Sequence, residues 1–291
     1  MIIDSHAHYN HAAYKNSFRY LCCDKNGYAI QEGDLAQVLQ AQQDANIPYS
    51  IEPGISIKSC EEMLVLCKAY PGRLFPAIGV HPTRSVFEKW DDRKKLDEMA
   101  AADGVIAIGE CGLDYHYARK EQHRFRQYIW FVYQLNLAWK RKLPVILHVR
   151  DAHRDALRIL RHHPVRKLGG VIHCFHDSKE IAQQYLKLGY HIGIGGSALQ
   201  QEERAKDFWE AISQMPLDRI LLETDAPYIL PYCKDIFTPK QLRRVRNTSL
   251  ILPAVIEKIA ELKGLSADEV ERATTKNVIR LFSLPIEEKM L

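Results

Sequence analysis

Short runs of β-branched and aliphatic residues alternate with longer stretches whose apolar positions recur at helical spacing along most of this chain. The apolar runs at residues 1–4, 49–54, 74–80, 105–110, 144–149, 170–174, 190–194 and 219–223 predict eight strands. Amphipathic stretches at 35–46, 59–69, 92–102, 120–140, 152–162, 179–188 and 202–213 predict helices between and after them, and two more follow the last strand at 250–263 and 267–282. Alternation of this kind builds a parallel sheet. Eight strand–helix units in 291 residues predict an α/β fold, a (β/α)8 TIM barrel formed as a single domain over 1–291 with extra C-terminal helices. An open doubly wound sheet fits the same alternation but carries a Gly-rich turn after its first strand, where this chain has His6-Ala7-His8. At the C-terminal helices, Thr248 or Ser249 is placed to cap the first and Gly264 to stop it, while Ser266 and Glu269 form a capping box at the second.

Composition is that of a globular protein, 46% hydrophobic and 26% charged, with no apolar run long enough to predict a membrane span. Met1-Ile2-Ile3-Asp4 has neither the basic nor the apolar region of a signal peptide, and seven cysteines without a C-x-x-C pair argue against a disulfide framework. A cytoplasmic protein is expected, with no obligate protein partner evident. The net charge of +4 is compatible with a polyanionic substrate without requiring one. Lys240, Arg243, Arg244 and Arg246 read as solvated surface.

The chemistry gathers at strand ends, where a barrel places its functional groups. His6 and His8 leave the first strand on one side, because residues two apart in a strand share a face. Later strands end in His81, Glu110, His148, His173 and Asp225. Asp114 and Asp151 read as helix caps. So many imidazoles and carboxylates at one level need partners, and metal ions supply them. Four histidines and two acids exceed one tetrahedral zinc site. They suit two divalent ions (Zn, Mg or Mn) roughly 3.5–4 Å apart. His6, His8 and Asp225 are expected on one ion, His148 and His173 on the other, and Glu110 between them.

Six blocks carry a resemblance: Asp4-Ser5-His6-Ala7-His8, Ile78-Gly79-Val80-His81-Pro82, Gly109-Glu110-Cys111-Gly112-Leu113-Asp114-Tyr115, Pro144-Val145-Ile146-Leu147-His148-Val149-Arg150-Asp151-Ala152, His173-Cys174-Phe175 and Glu223-Thr224-Asp225-Ala226-Pro227-Tyr228. In these the chain resembles the TatD family of metal-dependent deoxyribonucleases, within the amidohydrolase-like barrels. The family's metal residues carry over onto His6, His8, Glu110, His148, His173 and Asp225. The chain departs from the family pattern at Tyr9-Asn10, at His176-Asp177 and at Arg246-Asn247-Thr248-Ser249, in loops that shape the barrel mouth.

The resemblance implies hydrolysis of DNA phosphodiesters, as an exonuclease, by metal-activated water. Asp225 is the expected general base and Glu110 the group that fixes the intermetal distance. His81, Arg150 and His176 are the expected substrate contacts, with an ion pair from Arg150 to Asp151 or Asp155 as the structural alternative. A hydrolase of an amide, lactone or ester is the first competing reading, and a non-catalytic metal- or nucleic-acid-binding protein the second.

Overall fold

The computed structural model describes residues 1–24 and 27–286; of the expected 1–291 domain, residues 25–26 and 287–291 lie outside the described residues. In chain order the first strands are β1 (Ile3–Asp4), β2 (Phe18–Asp24), β3 (Gly27–Gly33), β4 (Tyr49–Pro53), β5 (Leu74–Ile78) and β6 (Ala107–Asp114). They are followed by β7 (Val145–Arg150), β8 (Gly170–Ile172), β9 (His191–Ile194), β10 (Ile220–Leu222) and β11 (Val245–Arg246). The helices are α1 (Leu35–Asp44), α2 (Ile57–Ala69), α3 (Arg93–Met99), α4 (Glu121–Arg141) and α5 (His153–His162), then α6 (Lys179–Lys187), α7 (Glu202–Gln214), α8 (Pro239–Leu242), α9 (Leu252–Lys263) and α10 (Ala267–Phe282).

The eight predicted strands form one parallel sheet in the order β1-β4-β5-β6-β7-β8-β9-β10. It closes between its ends: Ser5 N donates to Leu222 O at 2.9 Å, Asp225 N to His6 O at 2.9 Å and His8 N to Ala226 O at 2.8 Å. The barrel interior is filled by Ile3, Ile51, Phe75, Ala77, Ala107, Ile146, Val171 and Leu221, with Val278 and Phe282 of α10 packed against them. Asn277 of α10 donates to the carbonyls of Leu217 and Ile220, at the start of β10, so this helix closes the N-terminal end of the barrel. Side chains alternate along a strand. The residues two beyond Ile146, Val171 and Leu221 are His148, His173 and Glu223, which therefore form a polar layer directly above the apolar one.

Two glycines allow the strands to approach. A Cβ on Gly112 would lie 1.9 Å from the carbonyl oxygen of His148, and its φ of +148° suits glycine alone. A Cβ on Gly79 would lie 2.4 Å from the carbonyl carbon of Gly109. Two buried glutamines of α4 then act as surrogate strand neighbours. Gln134 pairs with both backbone groups of Val80, at 2.7 and 3.0 Å, and Gln127 with both of Asp114, at 2.9 and 3.0 Å. They satisfy the chain where β5 and β6 run out of partners.

Some expectations need correction. A three-stranded sheet, β11-β2-β3, was not predicted; β2 and β3 pair antiparallel from Phe18–Gly33 to Asp24–Gly27. The hydroxyls of Thr248 and Ser249 do not cap α9: Thr248 Oγ1 donates to Leu21 O at 3.1 Å and Ser249 Oγ to Asp4 Oδ2 at 2.7 Å. Asp151 does not cap α5, whose N-cap is Ala152. Gly264, at φ +64°, and the Ser266–Glu269 box end and start their helices as expected. Lys240, Arg243 and Arg244 are exposed, but Arg246 turns inward and is half-buried. Among the described residues, no helix is long and apolar enough to cross a membrane.

The strand contact at Gly112 gives a direct test. Gly112→Ala forces β6 and β7 apart and is expected to cost about 3 kcal/mol or more. Thermal unfolding should shift downward by roughly 6–12 °C for a chain of this size. An unchanged melting temperature would show that the approach is not tight.

Candidate metal centre and cleft

A cleft of about 1020 Å³ opens at the C-terminal ends of the strands. His8, His81, Glu110, His148, Arg150, His173, His176 and Asp225 all line it, and His6 lies fully buried beneath. Every site residue expected from the sequence is therefore in or under one cavity.

The strand geometry of His6 and His8 brings their Nε2 atoms to 3.1 Å from each other. His8 Nδ1 lies 3.0 Å from Pro53 O. A carbonyl can only accept, so Nδ1 carries the proton and Nε2 presents a lone pair. Asp225 Oδ1 stands 3.4 Å from His8 Nε2 and 3.8 Å from His6 Nε2. Asp225 holds a φ of +54°, a conformation that favours Gly or Asn, and its own N–H is tied to His6 O.

Glu110 joins the remaining groups. Its Oε1 lies 2.9 Å from His148 Nδ1, 3.2 Å from His173 Nε2 and 3.3 Å from His81 Nε2. Its Oε2 faces the other way, 3.6 Å from His6 Nε2 and 3.7 Å from His8 Nε2. Burial would raise this carboxyl; the charges of His81 and His173 and a hydrogen bond with His148 outweigh burial and hold it well below the usual range. The partners respond in kind. Burial opposes a charge on His8, His148 and His173, but the facing carboxylates prevail and raise all three. His6 is lowered to about 4, because burial and the charge of His173 outweigh the pull of Glu110.

His81 belongs to the group by distance. Thr83 donates its backbone N–H to His81 Nδ1 at 3.1 Å. In the neutral tautomer that accepts this N–H, the proton sits on Nε2, which faces Glu110 Oε1 at 3.3 Å as a donor.

Sequence reasoning missed the residues that orient the rings. Asp114 is more than a cap: besides accepting from Tyr117 N, its Oδ2 lies 3.1 Å from His148 Nε2. Glu223 Oε1 lies 3.4 Å from His173 Nδ1 and accepts the N–H of Cys174. A side chain on Gly193 would occupy the space of Glu223 Oε2, at 2.2 Å. Asp4 accepts from His6 N and Thr224 N at 3.1 Å each, from Thr224 Oγ1 at 2.6 Å and from Ser249 Oγ at 2.7 Å. The available signal was spacing: Asp4 and Glu223 each stand two residues before an expected ligand.

At the rim, Arg150 extends from the end of β7, with its guanidinium 5.5 Å from the Tyr117 ring. The alternative ion pair is not made: Asp151 faces His116 at 3.4 Å, and Asp155 accepts the Tyr115 hydroxyl at 2.8 Å. His176 is exposed and stands edge-on to Phe208.

The donor chemistry fits divalent metal. The Nε2 atoms of His6 and His8 meet at 3.1 Å beside the carboxylates of Asp225 and Glu110, two imidazole nitrogens and two acids converging on one point. His6, His8 and Asp225 form one compact donor group, His6, Glu110 and His173 another, and His81, Glu110 and His148 a third. Mixed nitrogen and carboxylate donors suit zinc and manganese.

Comparison with known proteins agrees. The model of the family "TatD related DNase" matches residues 3–283. The uncharacterized metal-dependent hydrolase YabD of Bacillus subtilis is 30% identical over 98% of this chain and 100% of its own length. The 3'-5' ssDNA/RNA exonuclease TatD of Pectobacterium carotovorum is 34% identical over 87% of this chain and 95% of its own. The crystal structure of YJJV, a TatD homolog from Escherichia coli K12, superposes with a TM-score of 0.82 at 28% identity, covering 98% of both chains. With a barrel of that shape, a buried histidine–carboxylate centre and a match along nearly its whole length, the chain belongs to the TatD-related DNase family of metal-dependent hydrolases.

Proposed function

We propose that the protein hydrolyses the phosphodiester bonds of DNA as an exonuclease, with two divalent ions held at the cleft floor. His6, His8 and Asp225 would hold one, and His148 and His173 the other, with Glu110 between the two groups. The observation that carries this assignment is the arrangement of Glu110, whose two oxygens face two separate imidazole groups. The single-strand exonuclease named among the relatives supports the choice of substrate.

Bound there, the ions supply Lewis-acid charge against an anionic diester and acidify the attacking water. Asp225 is the base that accepts the proton of that water, since its carboxylate is held ionised and faces the cleft. His81 donates its Nε2–H to a non-bridging phosphate oxygen. Arg150 neutralises the same phosphate from the rim, and His176 contacts substrate beyond it. Asp114 and Glu223 keep His148 and His173 turned toward Glu110.

Asp225→Asn should keep the circular dichroism and melting temperature but lose about 10²–10⁴-fold in turnover on end-labelled single-stranded DNA. The wild type should give a metal-dependent ladder that is absent in EDTA and in His6→Ala. Near wild-type rates in Asp225→Asn would reject it as the base. The orienting carboxylate is tested separately. Asp114→Asn should weaken metal affinity about 10–100-fold by calorimetric titration, without moving the fold; an unchanged affinity would leave Asp114 as a cap alone.

Proton competition has a defined sign. His8, His148 and His173 bind protons more tightly than an ordinary imidazole, near 6.5, and those protons must leave before the nitrogens ligate. Metal affinity should therefore rise with pH from 6 to 8, with proton release visible as a dependence of binding heat on the buffer. A pH-independent affinity with no proton release would contradict the assignment.

A further inference from the structure

The helix α4 is apolar on two opposite sides. Its inner side, with Trp130, Phe131, Leu135 and Ala138, is buried against the barrel. Phe125, Tyr128, Ile129, Val132 and Trp139 point the other way, within about 100° of arc at the pitch of an α-helix. Phe125 is 60% exposed, Tyr128 43% and Trp139 42%, while Ile129 and Val132 are half-buried. Glu121 and Asn136 are the polar residues that share this arc. The outer side of α10 is the ordinary case: its exposed residues are Asp268, Glu269, Arg272, Lys276 and Arg280, all charged. A surface helix keeps its outer side polar, and a helix apolar on both sides is one that packs on both.

Aromatic side chains bury roughly 150–250 Å² each, so the exposed parts of the three rings offer about 300 Å². A standard interface covers about 800 Å² per partner, with an apolar centre and a polar rim. The stripe has the size of such a centre. Its pattern also says what covers it, because it is complementary to itself. Turned end for end about a two-fold axis at Val132, the helix sets Phe125 against Trp139 of the second copy, and Tyr128 against Asn136 of the second copy. His163 Nε2 faces Asn136 Oδ1 at 3.2 Å, which leaves the Asn136 amide N–H groups for the tyrosine hydroxyl. Glu121 falls beside Lys142 of the second copy, once at each end of the pair. Neither residue makes an ion pair among the described residues, whereas Lys140 and Arg141 are held by Asp97 at 2.8 Å each. Antiparallel helix dipoles favour the same arrangement.

We propose that the outer face of α4 is an interface between two copies of this chain, packed antiparallel about a two-fold axis at Val132. The two barrels then point in opposite directions and both clefts stay open, so the inference is independent of what the cleft hydrolyses. A contact centred on one helix per copy gives a dimer of micromolar Kd.

The test is sedimentation equilibrium of the full-length protein over about two decades of micromolar concentration. The average mass should climb from 33.6 kDa toward twice that value. Phe125→Ser and Val132→Lys should each raise the dimer Kd at least about tenfold, the first by removing an exposed ring and the second by facing two ammonium groups across the axis. Glu121→Lys should weaken the dimer about tenfold, and Lys142→Glu added to it should restore the wild-type Kd. All four side chains are exposed or half-buried, so unchanged circular dichroism in dilute solution is expected and serves as the control. A monomer at every concentration would overturn the proposal and leave the stripe to a partner other than this chain. A dimer indifferent to Phe125→Ser and Val132→Lys would overturn it by placing the interface elsewhere, and one indifferent to Glu121→Lys would overturn the antiparallel register.

Discussion

A carboxylate enclosed by imidazoles is the interaction on which the rest of this molecule depends. Glu110 is almost completely buried, and burial of an ion without compensation is prohibitive in a dry interior. Here compensation comes from five rings, three at one oxygen and two at the other. To bring them together, the sheet must give up regularity where Glu110 sits. The β6–β7 register shifts between Ile108 and Cys111, and glycines at 79 and 112 let backbone meet backbone. Both features cost stability elsewhere and make sense only around this group.

The surrounding polar residues extend the same logic outward. Asp114 and Glu223 fix two rings from behind. Four donors reach Asp4, whose carboxyl is pushed up to about 7 by burial against their pull, and they come from the segments after β1 and β10 and from the approach to α9. The barrel is thereby sealed at its weakest seam, where β1 has only two residues, by side chains more than by ladder bonds. Tyr9 joins this seal: its hydroxyl lies 2.9 Å from Ser249 Oγ and accepts the N–H of Ser249 at 2.9 Å. Two positions that depart from the family pattern therefore meet in one hydrogen-bonded pair.

The barrel was legible because each of its strands is a buried apolar run, and the gathering of histidines and carboxylates at one cleft because each ends such a run. The hairpin of β2 and β3 was not legible. Its second strand alternates between exposed and half-buried positions, and the pair is held by cross-strand contacts and by β11 more than 200 residues away, which no local pattern records. Thr248 and Ser249 carried a genuine capping signal, but tertiary partners at Leu21 and Asp4 took their hydroxyls. The orienting acids were visible as residues and not as roles: whether Asp114 caps a turn or turns a ring depends on where β7 places His148. His81 shows the converse, a histidine with a ligand's position whose tautomer is decided by the amide of Thr83.

The central claim is that two separate ions share Glu110, and an anomalous-difference map from crystals grown with manganese tests it most directly. Two peaks are expected in the cleft, one contacting His6, His8 and Asp225 and the other His148 and His173, both within coordination distance of Glu110. A single peak, a peak coordinated by His81 Nε2, or no peak at this cluster in a protein shown by elemental analysis to carry metal would contradict it.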